Sequence, residues 1–427
     1  MSNTKATSWW PWLVLLGCIG AYSIPVGMIG NTAGLYVAPV MKQFGWDQTS
    51  TTMYRTIQPL VAAACTPFAG KLFARYSPRW ILTATSLIFG LASMATAFAT
   101  ELWQWNLYGV IYGMTCAFFM YLAAPVLVNR WFQKSNGLAL GLVAAVLSVL
   151  AAIVSPIAQS LITAHSWQYS RIVIFGVATV ASVVFSVVFI RDSPLKMGVK
   201  AYGEGAARSV DAPTDSVLAV EGATRPQALR TPGLYLVILI AMIIVMTAAF
   251  FQQVPAYTAK SPLGAAAGAV AVSIVMIGGT CGKLALGWLA DRFGVKPTAV
   301  GAMLCGATGM FLAFIATSTG PFYVGMAIFG VGYAGLTVVV PLLVRNSFGS
   351  LNYAEIFSWV STGIFLATSV SFLVYGRIVD LTGSFTWCFI LVISLYVIAA
   401  VLIVPAVNLS RGAWVSTDAN PKTKVAV

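Results

Sequence analysis

A chain of 427 residues that is 59% hydrophobic and only 8% charged, with a mean hydropathy of +0.87, carries too little charge to solvate a globule of its length. It reads as an integral membrane protein. The 24 Lys and Arg outweigh 11 Asp and Glu, giving a net charge of +13, but the bases are spread through short loops, so no nucleic-acid partner is expected.

A helix needs about 20 mostly apolar residues to cross a bilayer. Twelve such runs can be marked, at residues 10–40, 50–74, 80–100, 106–129, 138–163, 169–190, 232–258, 264–290, 296–317, 320–344, 353–378 and 386–408. The first follows a tail of residues 1–9, outruns a signal-peptide core and lacks a small-residue cleavage site, so it reads as a retained helix. It carries Asn31 in GMIGNTAGLY.

The second run holds Arg55 in TTMYRTIQP, about a turn and a half from the outer face. There it either draws anions towards a cavity or snorkels outward or pairs with Asp47. The fourth run carries Tyr121 in FFMYLAAP and leads to Arg130. After the sixth, residues 191–230 mix charges with Pro, Gly and Ala and show no sustained apolar face. This is a soluble linker, and it separates a six-helix half at 10–190 from a second at 231–408, followed by a tail at 409–427.

The eighth run, IGGTCGKLALGWLADRFG, sets Lys283 eight residues before Asp291, roughly 12 Å along a helix. A central Lys costs about 2.5 to 3.5 kcal/mol on insertion scales and is tolerated where it faces a partner, the bundle interior or a wet cavity. No predicted helix centre holds a carboxylate. Lys283 therefore awaits an anionic substrate, or else it snorkels along its own stem towards the cytoplasm. The tenth run carries Tyr333 in GVGYAGLT and ends near Arg345.

Most bases fall in the tails, KLFARYSPR, NRWFQK, the linker, DRFGVK and Arg345, whereas Lys42, Arg171, Lys260 and Arg377 lie near the other face. The positive-inside bias then places both termini in the cytoplasm. The six cysteines lie in apolar runs without metal-ligand spacing and read as free thiols, and His165 falls in an outer loop. No catalytic set, metal site or cofactor motif is found, so an enzyme is not expected.

A shift of about 217 residues aligns GKLFARYSPRW (70–80) with GWLADRFGVKP (287–297) and brings Pro125 and Arg130 near Pro341 and Arg345. Parallel duplication of six-helix halves suits a transporter that rocks about a central site. GWLADRFG followed by Lys296 resembles the cytoplasmic loop signature of the major facilitator superfamily, and the likeness covers essentially the whole chain. The N-terminal copy departs from it, with Ala74 where that family usually has Asp and Ser77 where it has Gly. NRWFQKSNGLALGLVAAV (129–146) and YGRIVDLTGSF (375–385) are similar to segments of the bacterial oxalate/formate exchangers and their monocarboxylate-porter relatives.

The resemblance implies an all-α polytopic membrane protein of twelve transmembrane helices in two pseudo-symmetric halves. It also implies a substrate role for Lys283, since this branch carries Arg in the pattern R-x3-G-x-L-x-D, here Lys283, Gly287, Leu289 and Asp291. Lys is a point charge without the guanidinium fork. Ser361 and Thr362 stand where exchangers of small dianions have a second base, which points to a singly charged substrate. Asn31, Tyr121 and Tyr333 lie on helices that resemble the cavity-lining ones; they either bond the substrate or pack in the core.

Arg130, Asp291, Arg292, Lys296 and Arg345 gather at cytoplasmic helix ends, where ionic contacts that break on rocking are expected. The reading is a monomeric carrier of a small organic anion, a monocarboxylate, in the cytoplasmic (inner) membrane, surrounded by lipid. Exchange for a counter-anion and proton-linked transport both stay open. The alternatives are an exporter of larger amphipathic or drug-like acids and a non-transporting sensor or assembly partner.

Overall fold

A computed structural model describes residues 9–46, 48–203 and 222–411. Residues 1–8 and 412–427 of the tails, Asp47 and the middle of the linker lie outside the described residues. Among the described residues twelve helices are long and apolar enough to span a bilayer. They are α1 (Trp10–Tyr36), α2 (Ser50–Arg75), α3 (Pro78–Phe98), α4 (Leu102–Trp131), α5 (Asn136–Ala164), α6 (Trp167–Phe189), α7 (Pro232–Thr258), α8 (Val270–Phe293), α9 (Val295–Ile315), α10 (Thr319–Phe348), α11 (Tyr353–Val379) and α12 (Thr386–Ser410). Each matches an apolar run marked in the sequence, with ends displaced by a few residues.

Local chemistry sets the helix ends. Pro78 and Pro232 open α3 and α7, where a missing N–H costs nothing. The Ser166 hydroxyl accepts the Tyr169 N–H at the start of α6, and Glu101 with Gln104 forms a capping box at the start of α4. Along α6, Val177, Val180, Val184 and Val188 are exposed while Ile174, Phe175, Ala178 and Ser182 are buried. One stripe is left for lipid, and the other packs the bundle.

Among the described residues, two spans turn to π-helix within their length. The first turns to π-helix over Ile19–Ser23 and again over Pro25–Gly30, then to 3-10 helix over Ala33–Tyr36. The fourth does so over Phe119–Ala123. Each π turn adds a residue per turn and rotates the remainder of its helix, a feature often found at functional positions.

The halves pack through α2 against α11 and α5 against α8, with α10 also meeting α5. Both ends of the linker are tied down. The Tyr202 N–H donates to the Trp131 carbonyl and the Gln133 N–H to that of Tyr202, while the Ala223 N–H donates to the Phe348 carbonyl. Arg225 lies 3.7 Å from Glu355 at the start of α11. These contacts define the linker end of the bundle.

Candidate functional site

Lys283 is 4% exposed. Its ammonium donates to the Ser148 hydroxyl at 2.7 Å and to the Ala144 carbonyl at 3.2 Å, both on α5 of the other half. Ser148 lies eleven residues, roughly 16 Å, into the bundle from Gly137 at the linker end. The stem therefore reaches inward across the seam between halves, contrary to the snorkelling alternative. Two of three donors are used on neutral oxygens, and among the described residues no carboxylate balances the charge.

The π turns put Tyr22 of α1 and Tyr121 of α4 on the central face of the N-terminal half. Tyr121 packs edge-on against Phe365 of α11, ring centres 5.0 Å apart. Tyr333 of α10 lies 5.7 Å from Phe251 of α7, and its ring edge is 3.3 Å from where a Cβ on Gly279 of α8 would be. Between these helices is a cavity of about 20 Å³ bordered by Tyr22, Tyr121, Ala144, Thr337, Phe357 and Ile364, room for about one water. Ala144 thus joins the cavity to the ammonium.

The five expected substrate residues do not converge on one place. Tyr121, Tyr333 and Lys283 surround the seam at mid-depth. Asn31 and Arg55 instead line a second cavity of about 150 Å³ towards the end opposite the linker, with Tyr54, Gln58, Trp105 and Arg171. Met120 borders both cavities.

At the linker end the expected ionic contacts take another form: among the described residues, Arg130, Asp291, Arg292, Lys296 and Arg345 form no ion pair with one another. The Asp291 carboxylate accepts the Gly137 N–H at 3.0 Å and the Leu138 N–H at 2.9 Å, capping the N-terminus of α5 across the seam. A helix N-terminus offers free donors and a positive dipole end, so it serves where a base was expected. Arg345 donates to the Phe132 carbonyl at 3.1 Å, also across the seam. Arg130 binds within its own half, to the carbonyls of Phe73 and Asp192. Arg292 stacks on Trp288 and Phe293, and Lys296 donates to Asn408 at 2.7 Å. Those three do not bridge the halves.

The pseudo-symmetric counterpart of the Asp291 cap is missing. Ala74 borders a cavity of about 220 Å³ together with Arg130, Asn352, Tyr353 and Ala354, at the N-terminus of α11. Ser77 instead donates to Asp192, which also accepts from Lys196 at 3.1 Å. Burial opposes the charge on Asp192, but Ser77, Lys196 and Arg130 hold its carboxyl below the usual carboxylate range. Ala74→Asp is expected to restore a cap on α11 and raise stability by about 1 kcal/mol. A thermal melt in detergent checks this, and an unchanged or lower Tm would count against it.

Several residues escaped the sequence reading. Gly137 and Gly141 on α5 face Gly287 and Lys283 on α8: Cβ atoms added to them would fall 2.2 and 2.4 Å from the Gly287 and Lys283 carbonyl oxygens. Their spacing of four is a signal that close helix packing leaves in a sequence. Ser148 and Tyr22 carry no such signal.

A sequence profile described as the Major Facilitator Superfamily matches residues 15–284 and 261–420, so the match covers both halves. The chain belongs to the Major Facilitator Superfamily. Its family and fold are those of transporters rather than enzymes. Among similar sequences are monocarboxylate transporter 12 of Xenopus laevis, 21% identical over 92% of this chain and 87% of that protein. Monocarboxylate transporter 4 of Rattus norvegicus is 25% identical over 39% of this chain and 35% of its own length. The uncharacterized MFS-type transporter YhjX of Escherichia coli (strain K12) is 22% identical over 82% and 81%. Among solved structures, the proton:xylose symporter XylE superposes with a TM-score of 0.70 at 13% identity, over 93% of this chain and 96% of that one. The Escherichia coli fucose:proton symporter FucP gives 0.66 at 15% identity, over 95% and 99%. These place a superfamily transporter fold on the chain from end to end.

Proposed function

We propose that this transporter carries a small organic anion, a monocarboxylate, across the cytoplasmic membrane by alternating access, with Lys283 as the counter-charge. The observation that carries the reading is the buried ammonium at the seam, bonded only to neutral oxygens and one residue's width from the central cavity. A cation held there without a carboxylate favours an incoming anion over a neutral or cationic substrate. The names of the relatives support the same class. Tyr22, Tyr121 and Tyr333 supply hydroxyls for its second oxygen and apolar faces for a short tail.

The density of bases at the linker end supports assigning that end to the cytoplasm. Asp291 and Arg345 join the halves there, which favours an outward-facing reading of this conformation. Rocking would break those contacts and open the route to the cytoplasm, with Arg345 and Asp291 as the gating residues. Coupling is by anion exchange or by a proton carried with the substrate.

Uptake into proteoliposomes of acetate, propionate and lactate, set against succinate, alanine, choline and bulky aromatic acids, tests the reading. Saturable uptake of short monocarboxylates, with the others inert, is the expected result. Transport of only bulky acids would select the amphipathic-acid exporter, and transport of only cations or neutral solutes would remove Lys283 from any substrate role.

A further inference from the structure

Arg171 opens the outer part of α6 and is only 3% exposed. Its guanidinium lies 4.6 Å from the centre of the Trp105 ring, 4.7 Å from Tyr36, 5.6 Å from Trp167 and 5.7 Å from Phe175. One nitrogen donates to the Thr96 hydroxyl. Its Nε and the indole N–H of Trp105 are buried donors with no partner. Rings attract a cation, but they carry no net charge, so the charge of Arg171 is held in place without being neutralised.

The cavity beside it has a graded shape. Gly30, Asn31 and Arg55 are exposed at its rim, and Arg171, Trp105 and Tyr112 are buried at its floor. Its 150 Å³ has room for several waters or a small ligand. Among the described residues neither guanidinium has an acidic partner. Both guanidiniums border one space, Arg171 fixed by its packing and Arg55 exposed; Asn31 and Gln58 line it too, and the Gln58 amide donates to the Cys116 Sγ at 3.2 Å.

We propose that this cavity is an outer anion subsite, in which Arg171 and Arg55 hold the carboxylate of a short-chain acid before it moves past Met120 to the central cavity. Guanidinium forks match the two coplanar oxygens of a carboxylate, and the cage prepays the ordering of Arg171. The cavity lies among α1, α2, α4 and α6 within one half, which suits a free small acid and not a lipid headgroup. The proposal rests on the monocarboxylate reading of the central site but uses none of the residues around Lys283.

The test isolates the subsite by removing the central charge. Lys283→Gln protein in nanodiscs of neutral phosphatidylcholine is titrated calorimetrically with propionate and with its uncharged isostere propionamide. Propionate is expected to bind and propionamide not to. Adding Arg55→Gln, an exposed change that spares the cage, or Arg171→Lys, which keeps the charge but loses the fork, is expected to weaken propionate binding at least about ten-fold. Elution volume and circular dichroism report whether each variant is folded. Binding equal for both ligands, binding unaffected by Arg55→Gln, or none in the Lys283→Gln protein would each overturn the subsite. Wild-type propionate uptake, measured separately, reports on the central reading alone.

Discussion

Lys283→Met is expected to reduce carboxylate uptake in proteoliposomes by at least about thirty-fold while leaving the protein folded and membrane-inserted. Removing one partner of a desolvated charged contact costs about 2 kcal/mol or more, and about 1.4 kcal/mol is a factor of ten. Folding should survive because an apolar side chain of similar length relieves a buried charge whose partners are a hydroxyl and a carbonyl. Lys283→Arg supplies the discriminating control: it keeps the charge and should retain uptake within about ten-fold. If Met and Arg variants both transport like the wild type, Lys283 packs the seam and does nothing more.

Gly137→Val should act at the other end of the mechanism. Its Cβ alone would fall 2.2 Å from the Gly287 carbonyl oxygen, so α5 and α8 must separate, and the separation draws the Gly137 and Leu138 amides away from Asp291. Asp291 is exposed, so the lost cap is worth about 1 to 2 kcal/mol, a shift of about five- to thirty-fold in the balance between conformations. Hydrogen exchange at residues 135–141 is expected to accelerate by that factor, with a parallel loss of turnover. Protection and turnover like those of the wild type would show that the seam at this point is not part of the gate.

The sequence and the fold part company at specific residues. Asp291 was visible as an acid at the end of a motif, and a base was its natural expected partner. Its partner is instead the N-terminus of a helix whose first residue lies some 150 positions earlier, and nothing local to Asp291 signals that. Arg171 could be sorted only as one of four bases near the outer face. Yet Trp167, Arg171 and Phe175 recur every four residues, so one helix face was already stacking rings on a guanidinium. In the sequence Asn31, Arg55 and Lys283 look alike, as polar groups on spanning helices. The structure separates them by depth, with Met120 between.

The sequence by itself determined the twelve spans, their division by a polar linker into six and six, and the presence of a charge far inside α8. These follow from one-dimensional constraints: a fixed hydrocarbon thickness, a backbone that must satisfy itself within each helix, and the cost of an ionised side chain in that medium. Only the tertiary structure decided what each polar group meets. Ser148 is 135 positions from Lys283 and Asp291 is 154 from Gly137, and both contacts exist because glycines let α5 and α8 approach at that depth. Hydropathy records how deep a residue lies, whereas its partner depends on which helix crosses there, which is settled by packing across the seam.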